Sequence, residues 1–175
     1  MPTDLEPPAD GDDWLGVGAG PLPFERAYRW AGRPDCGAIV VFSGTARDHS
    51  DGRPDVSELS YEVYEDQVVP RLDAVARELR VRWPSVRRVV LVHRVGDVPI
   101  GEEAVIVVVS APHRPEAFEA ARFGIDAVKA SVPVWKRETW DGGQDWGREA
   151  QHLVGPADVA PQVPAADPTA IGSTS

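Results

Sequence analysis

The sequence predicts an α+β sandwich in which helices pack on a mostly antiparallel sheet. Three observations carry this. Two long segments repeat apolar residues at helical spacing. Five shorter segments are β-rich or alternating. Their order is β-loop-β-α-β-β-α-β, not a regular βα repeat. No Gly-rich dinucleotide fingerprint and no phosphate-binding P-loop motif is present, which argues against those nucleotide folds.

Residues 24–32, FERAYRWAG, read as a short helix that stops at Gly32. GAIVVFSGTAR (37–47) is a strand running into a polar loop, DHSDGRPD (48–55), dense in turn formers. VSELSYEVY (56–64) alternates and is the next strand. In 65–83, Val68, Leu72, Val75, Ala76 and Leu79 share a helical face. Pro70 fits there only in the first turn or at a kink. Residues 86–96 and 103–111 are strands, and DVPIGE between them suits a hairpin. Residues 115–132 form a helix that Pro133 stops, and VWKRETW (134–140) begins the last strand.

One domain is expected over 13–149, between an acidic leader (1–12) and a Pro/Ala-rich tail (150–175), both expected to be disordered. The net charge of −10 argues against a nucleic-acid partner. That charge is uneven. Residues 1–24 hold five acids and no base, whereas 37–148 hold 15 Lys+Arg against 18 Asp+Glu. A cationic pocket in the body is therefore compatible with the acidic total. The single cysteine, Cys36, excludes an intrachain disulfide and suits a cytoplasmic protein. The first residues lack the pattern of a signal peptide, and the longest apolar run, AVIVVV (104–109), is too short to span a membrane.

Of 18 basic residues only Lys129 and Lys136 are lysine. With Phe118 at 0° on a helical wheel, Lys129 falls at about +20°, inside an apolar stripe with Ala121, Ile125 and Val128. An ammonium facing a core loses hydration and can become a neutral amine, which a guanidinium cannot. The structural alternative is a lysine that reaches past the core and favours the helix C-terminus. For Lys136 the alternation groups it with Val134 and Glu138, opposite Trp135, Arg137 and Thr139. An edge-strand charge pair with Glu138 is the plain reading. His113 and Arg114 open a helix, where free N–H groups favour an anion; ordinary surface charge is the alternative. His93 reads as a packed strand histidine, and His49 and His152 as solvated. Arg47, at the end of its strand, is either a ligand cation or a loop opener. The histidines and Cys36 have no metal-ligand spacing, so neither a metal nor another cofactor is expected.

Several blocks, in order, carry a family resemblance: GAIVVFSGTAR, LSYEVYED, RWPSVRRVVLVHRVGDVPIGE, VVVSAPHRPEAFEAARFGIDAVKASVPVWKRE and DGGQDW. Over roughly residues 14–148 the chain resembles the catalytic large subunit of molybdopterin synthase. The resemblance implies an α/β hammerhead fold and a homodimer. It also implies a heterotetramer in which each large subunit binds a small ubiquitin-like sulfur carrier. The carrier's C-terminal Gly-Gly thiocarboxylate would enter a pocket and transfer sulfur to cyclic pyranopterin monophosphate, giving the molybdopterin dithiolene of molybdenum cofactor biosynthesis.

Position by position, the resemblance assigns substrate binding to Thr45, Ala46, Arg47, His113, Arg114, Lys129, Lys136, Arg137 and Glu138. It makes Lys129 and Lys136 catalytic and places Phe42 and Ile125 along the pocket. Thr45 and Ala46 are expected to act through backbone, and Lys136 to lower the Lys129 pKa or steady an oxyanion. Arg114 and Lys129 stand 15 residues apart on one helix, about 22 Å. One small pocket cannot hold both, so a composite site is expected, with His113 and Arg114 supplied by a neighbouring subunit. Two rival functions are a non-enzymatic module that binds an anion or a ubiquitin-like tail, and a different acyl- or phosphate-handling enzyme.

Overall fold

Two strands are apolar on both faces: β4 (Val89–Arg94) and β6 (Glu103–Ala111). Such strands need cover on each side, and they receive it as the centre of a four-stranded sheet. That sheet has the order β1-β4-β6-β2, with β1 at Asp13–Gly18 and β2 at Ala38–Thr45. β1 runs parallel to β4, and the other pairs are antiparallel. On one face, Val90, Val92, Ile106 and Val108 pack with Trp14 and with Ala27 and Ala31 of helix α1 (Phe24–Ala31). On the other, Val89, Leu91, Val107 and Val109 pack under α2 (Glu65–Arg82) and α3 (Arg114–Ser131). This computed structural model describes residues 5–50, 55–146 and 153–160.

A second antiparallel sheet has the order β5-β3-β7-β8: β5 Gly96–Val98, β3 Val56–Val63, β7 Val134–Trp140, β8 Gly143–Trp146. It closes over a small core of Ala46, Val56, Leu59, Val98 and Ala104. The fold is α+β, as expected, but its strands divide between two sheets. β2 and β3 are consecutive and do not pair, because β3 bonds to β5 and β7 instead. The five expected strands are present, β6 and β7 over the expected residues and β2, β3 and β4 with trimmed ends. β1, β5 and β8 are additional. Their partners lie far along the chain or their length is only three or four residues for β5 and β8, so local alternation does not expose them.

α2 runs through Pro70, which has no N–H to give the carbonyl of Asp66 one turn before it. Both residues are exposed, so water can serve that carbonyl. α3 starts after His113 in extended conformation, with Pro115 in its first turn and Glu116 beside the N-terminal dipole. No helix among the described residues is long and apolar enough to cross a membrane.

The described parts of the two terminal segments touch the body. Leu5 packs against the Trp14 cluster and Glu6 pairs with Arg26, which holds the Glu6 carboxyl below its usual range. Val159 is buried against α2 and α3. Arg82 grips this stretch through the carbonyls of Val159 and Ala157, each at 3.0 Å, while its guanidinium lies 4.2 Å from the Phe123 ring centre. The expected leader and tail otherwise fall on residues outside the described ones, as does His152.

Arg82→Ala removes two hydrogen bonds, a stacking contact and a 2.8 Å ion pair with Glu78. We expect a loss of about 1–3 kcal/mol in urea unfolding. A loss below about 0.3 kcal/mol would show that the 153–160 segment adds nothing to the body.

Candidate functional site

Where the two sheets meet the end of α3, a cleft of about 210 Å³ opens. The end of β2 supplies Phe42, Gly44 and Thr45, and Arg47 follows. β3 supplies Leu59 and Tyr61, α3 supplies Ile125, Val128 and Lys129, and β7 supplies Val134, Lys136 and Glu138. Gly44 is where Val105 crosses closely: an added Cβ would lie 2.7 Å from the Val105 side chain. A bulge between Gly44 and Thr45 then turns the chain out of the sheet.

Lys129 and Lys136, joined through the Val132–Pro133 bend, line the same cleft. The environment of Lys129 differs from that expected. Phe118, counted in the apolar stripe, is 63% exposed. The buried arc of α3 is centred instead on Ala117, Ala120, Ala121, Gly124 and Val128. Lys129 sits at the border of that arc and is exposed to the cleft. This chain alone therefore does not desolvate the amine. Among the described residues Lys129 has no carboxylate partner, and neither does Arg47.

Lys136 is in a different state. Its Nζ lies 2.9 Å from Glu138 Oε1, and Ser50 Oγ donates to Glu138 Oε2 at 2.8 Å. Glu138 is only 4% exposed, so this carboxylate is a buried anchor. The expected Lys136–Glu138 pair forms, although β7 is an interior strand rather than an edge. The pairing offsets the positive charge by which Lys136 was expected to act on Lys129.

Four expected residues stand elsewhere. Arg137 lies on the opposite face of β7, as alternation requires. Ala46 is buried in the small core, and its backbone is occupied: its N–H donates to Glu102 O at 2.9 Å and its carbonyl accepts from Gly101 N at 2.8 Å. Both backbone groups of Ala46 thus already serve the turn before β6, and the carbonyl keeps one further lone pair. His113 and Arg114 are exposed at the opposite end of α3 from Lys129 and do not line the cleft. Thr45, Arg47, Phe42 and Ile125 line it.

The lining residues that were not expected there include Ser50, Tyr61 and His93. Tyr61 pairs with Lys136 across β3 and β7, a register that no local pattern reveals. His93 is a packed strand histidine, as expected, but it also lines the cleft. Its ring meets Tyr61 edge-on, with centroids 4.9 Å apart. Nδ1 lies 2.6 Å from the Arg94 carbonyl, which can only accept, so Nδ1 carries the proton. Burial pushes the His93 pKa down from 6.5 to about 4, against a smaller opposing effect of that carbonyl. At the rim, His49 hydrogen-bonds Asp48 at 2.7 Å and holds the Asp48 carboxyl below its usual range.

A depressed histidine pKa has a definite sign in stability. Below pH 6.5 the unfolded chain takes up a proton that buried His93 refuses, so stability falls as pH drops from 6.5 towards 4. Between pH 7.5 and 5.5 this group alone costs about 1.4 kcal/mol. Urea unfolding at both pH values should show that excess loss in the wild type relative to His93→Gln. Equal pH slopes would contradict it.

Comparison with known proteins places this geometry. The family model for the MoaE protein matches residues 17–131. The molybdopterin synthase catalytic subunit of Nostoc sp. is 40% identical over 136 residues, covering 77% of this chain and 82% of its own. That of Drosophila mojavensis is 46% identical over 109 residues, 62% of this chain and 30% of its own. The chain thus spans about a third of the length of the fly relatives, which are 30% covered in Drosophila mojavensis and 35% in Drosophila willistoni. The crystal structure of molybdopterin synthase from Staphylococcus aureus superposes with a TM-score of 0.71 at 32% identity, over 75% of this chain and 94% of its own. A complex of subunits 1 and 2 of the molybdopterin-converting factor from Helicobacter pylori superposes with a TM-score of 0.64 at 25% identity, over 79% and 92%. Sequence blocks, two-sheet architecture and relatives agree, and the chain belongs to the MoaE protein family.

Proposed function

We propose that this chain is the catalytic subunit of a molybdopterin synthase. It would transfer sulfur from the C-terminal thiocarboxylate of a small ubiquitin-like carrier to cyclic pyranopterin monophosphate. The observation that carries this is the asymmetry of the two lysines. One cleft holds Lys129 without a carboxylate partner among the described residues and Lys136 held by Glu138. An anionic tail entering the cleft meets Lys129 and Arg47 as open cations.

In each transfer a carbon–sulfur bond forms on the substrate and the thiocarboxylate carbon–sulfur bond breaks. The oxygen displaced from the substrate, or that of a water, ends on the carrier's acyl carbon, leaving a carboxylate. Lys129 handles charge and proton at that carbon. The inserted tail shields the Lys129 amine from water, which the chain by itself does not. Lys136, fixed by Glu138, is a positioned donor for the developing oxyanion. The phosphate needs further cations. We assign His113 and Arg114 to that task from a second copy in a homodimer, within a heterotetramer with two carriers. The continuous helix between Arg114 and Lys129 supports this, since about 22 Å separates them.

The deciding assay is a single turnover with purified protein, thiocarboxylated carrier and cyclic pyranopterin monophosphate, read by mass spectrometry. Wild type should yield dithiolene. Lys129→Arg should bind the carrier and yield at least about a hundredfold less. Equal turnover by Lys129→Arg would make the residue a charge only, and no product from either protein with carrier still bound would favour the binding-module reading.

The composite site has its own test. Arg114→Ala and Lys129→Ala should each be inactive alone. Subunit exchange between them should restore about a quarter of wild-type activity, because half the dimers are mixed and each has one intact site. No recovery, with exchange verified by native mass spectrometry, would place each site within one protomer.

A further inference from the structure

The cleft is rich in groups that only donate hydrogen bonds. The side chains of Arg47, Lys129 and Lys136 have no acceptor atom. The two carboxylate oxygens of Glu138 already accept from Lys136 and Ser50. A ligand that carried only anionic oxygens would be well served by this set. A pterin-type ring is different, since it also presents ring N–H and amino donors. Burying such donors without an acceptor costs binding free energy.

His93 is built to supply that acceptor. It belongs to β4, the strand flanked by β1 and β6, so its backbone is among the most restrained in the molecule. It shares a sheet face with Val89 and Leu91, both fully buried, where the pattern calls for an apolar residue. A histidine there carries a desolvation cost that a valine would avoid. The Arg94 carbonyl fixes the Nδ1 proton, and Tyr61 holds the ring edge-on. The remaining ring nitrogen, Nε2, is then an acceptor with no proton of its own, on a ring that lines the cleft.

We propose that His93 is a substrate-binding residue that accepts, through Nε2, a hydrogen bond from a ring N–H or amino group of the pterin, and so selects for a ring with a donor at that place. This rests on the substrate named above. Its discrimination is of the kind a buried polar partner provides, where a ligand lacking the donor leaves the acceptor unpaired.

Two neutral amides separate this from a packing role. His93→Gln places a side-chain oxygen near the Nε2 position. His93→Asn reaches only the Nδ1 position and keeps the contact with Arg94 while losing the acceptor. Cyclic pyranopterin monophosphate would be titrated calorimetrically, without oxygen, into wild type and both variants, and a carrier C-terminal peptide into the same three. His93→Asn should bind the pterin about tenfold more weakly and His93→Gln within about threefold of wild type, with peptide affinity unchanged in all. Equal pterin affinity in the two variants, whether both weakened or both unaffected, overturns the role of His93 while leaving the substrate reading intact. A wild type that binds the peptide but no pterin overturns the substrate reading, and His93's role with it.

Discussion

Everything at the cleft depends on the burial of α3 against the first sheet. Ala117, Ala120, Ala121, Gly124 and Val128 are small enough to bring the helix close to β6, and Gly124 lies so near Val107 that a methyl group there would sit 3.1 Å from it. This contact fixes where the helix ends. Val132 and Pro133 then turn the chain into β7, so the packing of one helix sets the position of Lys129 at its end and Lys136 just beyond. A rotation of α3 by one residue, about 100°, would carry Lys129 out of the cleft or into the core.

The second constraint is electrostatic. Glu138 is nearly inaccessible and needs partners to remain ionised there. It finds Lys136 on its own strand and Ser50 in the loop after β2, which ties that loop to β7 at the cleft. The two lysines consequently have different characters. Lys136 is held and compensated, while Lys129 is open to the cleft and without a carboxylate among the described residues. Arginine would be a poor substitute at Lys129 if the group must release a proton, because its guanidinium stays charged.

Much of this was legible in the sequence. Helical and strand periods located α2, α3 and the strands β2, β3, β4, β6 and β7, since both periods are properties of neighbouring residues. Strand alternation separated Lys136 and Glu138 from Arg137, and the rise per residue of a helix separated Arg114 from Lys129. The helical wheel was less successful at Lys129, because Phe118 was assumed to face the core and faces out. Hydrophobicity alone does not orient a helix when alanine and glycine make most of its buried face.

The sequence by itself determined the α+β class, the order of the long elements and the cationic character of one region in an acidic chain, because composition and period are local. The tertiary structure decided which groups meet. Ser50 and Glu138 are 88 residues apart. Tyr61 reaches Lys136 only through the β3–β7 register, and His93 reaches Tyr61 only because the two sheets abut. β1 exists as a strand through its pairing with β4. These contacts follow from burying apolar faces that lie far apart along the chain, and a linear pattern carries no record of which face will cover which.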